Sequence, residues 1–225
     1  MLEFEVLEHA ESKIGVLILR RRNPPEDHVI ELTLEAQFLM SNVVTFSECA
    51  LATRAIEMHG GSNLDVLVGG LGLGYTNKAA LESDRVAKLE CVELVAGVIS
   101  WFERGIIPLG KELMADPRLS VVEDDVYQRL LKPPVKTHDL ILIDVDHSPD
   151  SQLGQSNDII YDRQGLTLAK QHLSPGGVFG VWSFEPSPRF ETELREIFDE
   201  VRIHTVEFHN PTTGDDEINW IFLAR

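Results

Sequence analysis

The chain has 225 residues, of which 43% are hydrophobic and 25% are charged, a composition typical of one soluble globular α/β domain with little left for a second. Its net charge of −17 argues against nucleic acid as a partner and is compatible with cationic substrates, and the alternative is that the acidity serves solubility. No apolar run approaches the roughly 18 residues that span a membrane, and the acidic N-terminus lacks the features of a signal peptide. We therefore expect a cytoplasmic protein with no membrane partner.

Residues 1–46 are predicted to form a small antiparallel β unit, because short β-branched runs alternate there with turn-like segments. The runs are Val6–Leu7, Ile14–Leu19 and Val29–Leu34, and the clearest turn is Asn23–Asp27. The next segment, Ser47–His59, has an apolar face and ends at a Gly-Gly pair, which predicts a helix.

From Leu64 onwards, strand-like and helix-like segments alternate, the pattern of a parallel sheet covered by helices on both faces. The predicted strands are Asp65–Val68, Lys88–Val92, Leu119–Val122, Leu140–Asp144 and Val178–Trp182. The predicted helices are Tyr75–Leu81, Val95–Arg104, Val126–Leu131, Asp162–His172 and Arg189–Phe198. The last two runs, Arg202–Phe208 and Ile218–Leu223, predict a closing hairpin with one antiparallel strand. Residues 47–225 are thus predicted to form one α/β domain.

The segment Asp65–Gly74 is the most informative of the chain. Its apolar run breaks into Gly70, Gly72 and Gly74, which allow a tight turn and close approach of a ligand to the backbone. Glu93 follows 19 residues after Gly74, where a carboxylate can bind both hydroxyls of a ribose. The dinucleotide fingerprint does not fit, because it needs a glycine where this chain has Tyr75. The pattern favours an S-adenosyl cofactor, and the alternative is a glycine-rich turn without a ligand.

Acidic residues recur after the predicted strands, where ligands bind in open parallel sheets. Glu93 follows the second strand of this sheet, Glu123–Asp125 follow the third, and Asp144–His147 follow the fourth. Asp144 ends an apolar run, where its pKa is tunable, and it can accept the proton that an ammonium nucleophile must lose before attack. Asp146 and His147 can bind the second substrate.

Other interpretations of these residues remain open. Each acid alone fits a solvated loop residue, and His147 fits a surface histidine. Asp146, His147 and Asp150 offer three metal ligands within five residues, but no second cluster completes a coordination shell, so we predict no metal. Cys49 and Cys91 lie in apolar surroundings, which predicts buried thiols.

Together these motifs resemble the spermidine synthase (polyamine aminopropyltransferase) family over residues 12–182. Ser12–Gly15, the glycine-rich loop and Tyr161–Gly177 all look like segments of that family. The resemblance implies a Rossmann-like S-adenosylmethionine-dependent methyltransferase fold with a mostly parallel seven-stranded sheet whose last strand is antiparallel. It also implies a homodimer.

The resemblance carries residue roles as well. It implies that Gly70, Gly72 and Gly74 lie against the cofactor. It further implies that Glu93 binds the ribose and that Asp125 contacts the adenine amino group. Asp144 falls on the catalytic aspartate, beside the cofactor, and Tyr161 falls on the substrate side.

The departures from the family lie on the amine side of the site. Leu73 replaces an aspartate, Phe46-Ser47-Glu48 replaces Tyr-His-Glu, and Leu39 replaces a glutamine. The Asp-x-x-Asp-Pro segment is rewritten as Asp144–Pro149. The adenosine half is kept and the aminopropyl half is changed, as in a bacterial spermidine-synthase-like subgroup.

The first functional hypothesis is an aminopropyltransferase that moves an aminopropyl group from decarboxylated S-adenosylmethionine to a small cationic amine. Asp144 and Asp146 near the cofactor tail would disfavour a cofactor that still carries a carboxylate. The second is an S-adenosylmethionine-dependent methyltransferase acting on a small molecule or protein, for which Leu73 is tolerable. The third is a catalytically inactive homologue that binds the nucleoside.

Overall fold

The computed structural model describes residues 3–23, 29–145, 147–153 and 158–225, so the predicted site residue Asp146 and most of the predicted turn Asn23–Asp27 lie outside the described residues. The N-terminal part forms an antiparallel sheet. Its strands, in spatial order, are β1 (Glu3–Ser12), β2 (Gly15–Asn23), β3 (Ile30–Leu34) and β4 (Gln37–Ser41). The predicted β unit thus contains one strand more than the apolar runs indicate. Its division at residue 46 from a second domain stays a prediction.

The rest of the described chain builds a larger sheet with helices on both faces. Its strands are β5 (Leu64–Gly69), β6 (Val86–Glu93), β7 (Leu119–Glu123), β8 (His138–Ile143), β9 (Leu173–Ser183), β10 (Val201–His209) and β11 (Asp216–Ala224). The helices are α1 (Phe46–His59), α2 (Tyr75–Leu81), α3 (Ala96–Glu103), α4 (Gly110–Met114), α5 (Val126–Leu130), α6 (Arg163–Lys170) and α7 (Pro188–Ile197). None of the helices in the described ranges is long and apolar enough to cross a membrane.

The strand order of the large sheet is β10-β11-β9-β8-β5-β6-β7. Strand β11 is antiparallel to both of its neighbours, and the remaining strands of the described sheet run parallel to one another. The predicted fold class, with an antiparallel last strand, is therefore confirmed. The chain first builds outwards from β5 to β7 and then returns to β8 on the other side of β5. The carboxyl ends of β5 and β8 flank this reversal, the usual place for ligands in such sheets.

The parallel strands are continuous apolar runs because both faces of the sheet are buried. Leu140, Ile141 and Leu142 of β8 are fully buried, because helices cover both faces of the sheet. One face packs against α1, whose Leu51, Ala52 and Ala55 are also fully buried, and the other face packs against α5, α6 and α7. Burial of each large apolar side chain stabilises the fold by about 1.5–3 kcal/mol.

Two short elements were not predicted, and each has a local cause. Strand β4 is half exposed, so its residues show no continuous apolar run. Helix α4 has only five residues, too few for a helical period, and it is held by tertiary packing of the buried Leu113.

Candidate active site

A cavity of about 1370 Å³ lies between the small sheet and the carboxyl ends of the parallel strands. The structure brings six of the predicted site residues to this one cavity. They are Gly70, Gly72, Glu93, Asp125, Asp144 and His147. The cavity exceeds the roughly 300–1,000 Å³ of an ordinary ligand pocket, so it has room for two substrates side by side.

The glycine-rich loop joins the two strands at the reversal. Gly70 has φ +95°, and a Cβ atom there would lie 2.2 Å from the main-chain oxygen of Asp144. Only glycine therefore fits where these two chain segments touch. Gly72 lies beneath Met40 of β4, and Gly74 begins α2 and packs against Phe102 and Leu113 rather than lining the cavity.

The carboxylate of Glu93 is buried and held by the backbone. Its Oε2 accepts the Leu71 N–H at 2.9 Å, and its Oε1 accepts the Val95 N–H at 2.8 Å. Burial raises the pKa of Glu93, and these backbone donors oppose the rise. The backbone N–H groups of Leu94 and Gly72 also interact with this carboxylate, so the loops fix its orientation at the cavity.

Asp125 stands at the N-terminus of α5 and is fixed in the same manner. Its Oδ1 accepts the backbone N–H groups of Tyr127 and Gln128 at 3.1 Å, and its Oδ2 accepts Lys13 Nζ at 2.6 Å. Burial alone would raise the pKa of Asp125, but the hydrogen bonds from Lys13 and the backbone outweigh it, so the pKa is lowered. Asp125 is therefore an ionised carboxylate, and Lys13 brings the β1–β2 turn to the rim of the cavity.

Asp144 follows β8 and lines the middle of the cavity. Its Oδ2 accepts the hydroxyl of Thr76, which belongs to the first turn of α2. Burial raises the pKa of Asp144 from 3.8 to about 6, with the Thr76 hydrogen bond opposing the rise. A carboxylate with this pKa is ionised near neutral pH and is able to exchange a proton there.

Glu48 of α1 is a second buried carboxylate on the same cavity, which the sequence reasoning missed as a site residue. It is 7% exposed, and its Oε2 accepts the Ser47 hydroxyl at 2.9 Å. Burial, and secondarily the charge of Asp144, raises the pKa of Glu48 to about 7. Thr76 joins the two acids, since its hydroxyl also lies 3.3 Å from the main-chain oxygen of Glu48. The sequence carries one signal for this residue, because Glu48 is the position at which the chain keeps the glutamate of the family's Tyr-His-Glu stretch.

His147 also lines the cavity, and its ring is positioned by two neighbours. Its Nε2 lies 2.8 Å from Gln37 Nε2 of β4, and its ring meets Phe184 edge-on with centroids 6.0 Å apart. Gln37 itself lines the cavity, so a glutamine does reach the site two residues before Leu39, which also lines it.

Tyr161 and Leu73, which the sequence comparison also points to, do not line the cavity. Tyr161 is buried in the core, and its hydroxyl lies 2.7 Å from that of Tyr127, which does line the cavity. Its predicted contact with substrate stays a prediction, and the structure places it behind Tyr127. Leu73 is 1% exposed and belongs to the core, so it presents no surface to the cavity.

The two cysteines and Asp150, one of the alternative metal ligands, do not line the cavity. Cys91 is buried and Cys49 is half-buried, and burial raises the pKa of Cys49 to about 11, so neither is a ready nucleophile. Asp150 accepts hydrogen bonds from Ser187 and Arg189. Across the described ranges, no three His, Cys, Asp or Glu side chains are grouped so that they could hold a metal ion.

The sequence matches no protein-family model. The fold, however, is similar to that of solved spermidine synthases. One was solved in complex with the transition-state analogue AdoDATO; it has a TM-score of 0.78 and 20% identity, and the match covers 97% of this chain and 73% of that one.

Two further structures agree. The spermidine synthase from Thermotoga maritima has a TM-score of 0.74 and 18% identity, with 97% of this chain and 71% of that one covered. A probable spermidine synthase from Corynebacterium glutamicum has a TM-score of 0.67 and 16% identity, with 98% and 80% covered. The chain therefore has the fold of spermidine synthases, as its motifs predict.

Proposed function

We propose that this protein transfers an aminopropyl group from decarboxylated S-adenosylmethionine to the amine of a small acceptor. The observation that carries the proposal is that two carboxylates, the half-buried Asp144 and the buried Glu48, line the same cavity as the glycine-rich loop. We call Gly70, Gly72, Glu93 and Asp125 the nucleoside end of the cavity, because their backbone and carboxylate groups suit an adenosine.

The chemistry follows from the charges. The acceptor nitrogen attacks the propyl carbon bonded to sulfur, the carbon–sulfur bond breaks, and its electron pair neutralises the sulfonium. An amine with a pKa of about 10.4 is protonated at neutral pH, so it must first lose a proton to a nearby base. Asp144 is the proposed base, and Glu48 can share the proton with it and hold the cation in place.

The same acids favour the decarboxylated donor. A carboxylate on the donor tail would lie near Asp144 and Glu48 in a buried setting, where like charges repel strongly. The cation that lines the described nucleoside end of the cavity is Lys13, and it is paired with Asp125.

The test is to incubate the purified protein with decarboxylated S-adenosylmethionine and a panel of amines and to measure release of methylthioadenosine by chromatography. Calorimetry with the decarboxylated and the intact donor provides a second readout. Tighter binding of intact S-adenosylmethionine, with methyl transfer and no methylthioadenosine, would replace the proposal with a methyltransferase. Nucleoside binding with no turnover on any acceptor would indicate an inactive homologue.

A further inference from the structure

The cavity extends beyond Asp144 to a second group of polar side chains. Along the rim of the sheet, β8 is followed by β9 and then by β11. With neighbouring strands about 4.8 Å apart, β11 lies about 10 Å from β8. This part of the cavity lies opposite the small sheet, and Arg22 Nη2 reaches Thr212 Oγ1 of the β10–β11 turn at 3.3 Å. We call Arg20, Arg22, Trp182 and Asn219 the hairpin end of the cavity.

Two half-buried arginines and one buried glutamate form a cluster at this end. Arg20 and Arg22 alternate with Arg21 along β2, so they share the face that lines the cavity. Glu31 of β3, whose side chain is 3% exposed, accepts Arg20 Nη2 at 2.8 Å and Arg22 Nη2 at 2.6 Å. One carboxylate between two guanidinium groups leaves a net positive charge. The Nη1 groups of both arginines have no hydrogen-bond partner among the described residues, and the Arg20 guanidinium also stacks on the Phe4 ring.

Trp182 of β9 supplies an independent observation. Its indole Nε1–H is buried and has no hydrogen-bond partner among the residues that the structure describes, although the side chain lines the cavity. A buried N–H without a partner costs about 1–3 kcal/mol, so the fold retains it at a cost that a ligand would remove. Since an indole is a donor only, the missing partner must be an acceptor atom.

Asn219 of β11 stands beside this indole. Ile221 pairs with Trp182 across the two strands, so Asn219, two residues earlier on β11, points to the same face of the sheet. Asn219 is 7% exposed, lines the cavity, and has no side-chain partner in the part of the chain that the structure describes. The unpaired groups at the hairpin end are therefore mostly donors, namely the two arginine Nη1 groups, the indole N–H and the Asn219 amide N–H.

Glu217 is the other carboxylate at this end, and its Oε1 is already occupied. It accepts Asn210 Nδ2 at 2.7 Å and Thr213 Oγ1 at 3.2 Å. A second ammonium group gains nothing from the donors of Arg20, Arg22 and Trp182, and the acceptor that Glu217 still offers it is Oε2.

We infer that the acceptor is an amine that also carries a carboxylate, with its amine at Asp144 and its carboxylate at the hairpin end. This inference rests on the proposed function and names the substrate class of the same site. A diamine of equal length would place a cation alone where the site presents donors. The amino acid keeps that ammonium but adds a carboxylate beside it, which Arg22 and Trp182 can bind while the amine at the other end lies at Asp144.

The test compares acceptors that differ only by a carboxylate: putrescine against ornithine, and cadaverine against lysine. With decarboxylated S-adenosylmethionine, we expect kcat/KM for methylthioadenosine release to be about tenfold or more higher for the carboxylated member of each pair. A preference for the diamines would overturn the inference while leaving the proposed function intact.

Three variants test whether the preference for the carboxylated acceptor arises at the hairpin end. Trp182→Phe keeps the ring and removes the N–H, and Arg22→Gln removes one guanidinium while Arg20 still pairs with Glu31. We expect each to raise KM for ornithine about tenfold and to change kcat/KM for putrescine less than twofold. Arg21→Gln is the matched control, because Arg21 pairs with Glu5 and does not line the cavity. Equal losses for both acceptors, or weaker binding of intact S-adenosylmethionine by Arg22→Gln, would overturn the inference.

If no acceptor releases methylthioadenosine, the proposed function fails and the subsite is tested by binding alone. Calorimetry of the protein with methylthioadenosine bound would then compare ornithine with putrescine. Tighter binding of ornithine that Trp182→Phe abolishes supports the subsite, and equal or weaker binding overturns it.

Discussion

The nucleoside end and the hairpin end of the cavity are built in different ways. At the nucleoside end, backbone N–H groups of the loops after β5, β6 and β7 hold the carboxylates of Glu93 and Asp125. At the hairpin end, side chains from β2, β9 and β11 converge, and Trp182 keeps an unpaired donor. One end is thus completed by its own fold, and the other has unsatisfied groups that a ligand can complete. The same cavity therefore combines a preorganised end with an end whose unpaired donors favour a ligand that carries acceptor atoms.

The largest expected effect is on Asp144, where the two ends meet. Asp144→Asn removes the proposed base, so turnover should fall by about 100- to 10,000-fold while affinity for methylthioadenosine changes little. Steady-state release of methylthioadenosine and calorimetry measure the two quantities. Asp84→Asn, at an exposed carboxylate outside the cavity, is the control. A parallel loss of rate and affinity would place Asp144 in binding rather than in proton transfer.

The second prediction concerns pH. Since burial raises the pKa of Glu48 from 4.5 to about 7, the folded state retains a proton that the unfolded chain loses. The contribution of Glu48 to stability is full below pH 4.5 and is lost as the pH rises to about 7, a loss of about 3 kcal/mol. Glu48→Gln should flatten the curve, and Glu103→Gln, at an exposed site, should not.

Urea denaturation at several pH values measures this dependence. A wild-type unfolding free energy that rises between pH 4.5 and 7, with Glu48→Gln unchanged from it, would show that Glu48 is ionised in the folded protein at low pH.

The third prediction compares one carboxylate from each end. Glu93→Gln replaces an oxygen that accepts a buried N–H, so the affinity for methylthioadenosine should fall by roughly 10- to 100-fold. Glu217→Gln makes the same chemical change at the β10–β11 hairpin and should alter that affinity less than twofold. Calorimetry of both variants measures their affinity for methylthioadenosine. Comparable losses of affinity would mean that the nucleoside reaches the hairpin.

The smallest effect is expected at Lys13. Its side chain is 59% exposed, so the ion pair with Asp125 is screened by water and Lys13→Met should change the unfolding free energy by less than about 1 kcal/mol. Urea denaturation at low and high salt measures it. A loss above about 2 kcal/mol would show that the pair, rather than the backbone donors, anchors Asp125.

The nucleoside end and the hairpin end also differ in how much of each the sequence predicts. Gly70, Glu93 and Asp125 belong to short strand–loop segments, so local spacing is enough to find them. Trp182 and Asn219 become neighbours only through the pairing of β9 with β11, which no local pattern reveals. Glu48 was missed for a similar reason, because its importance depends on burial beside Asp144.

The β10–β11 hairpin is one continuous stretch, residues 201–224, and it reaches the rim of the cavity from outside the glycine-rich loop. Lengthening the turn of this hairpin would change the hairpin end of the cavity without disturbing its nucleoside end. The most variable part of related genes is therefore expected to encode this turn, since loops tolerate insertion better than the strands that they connect.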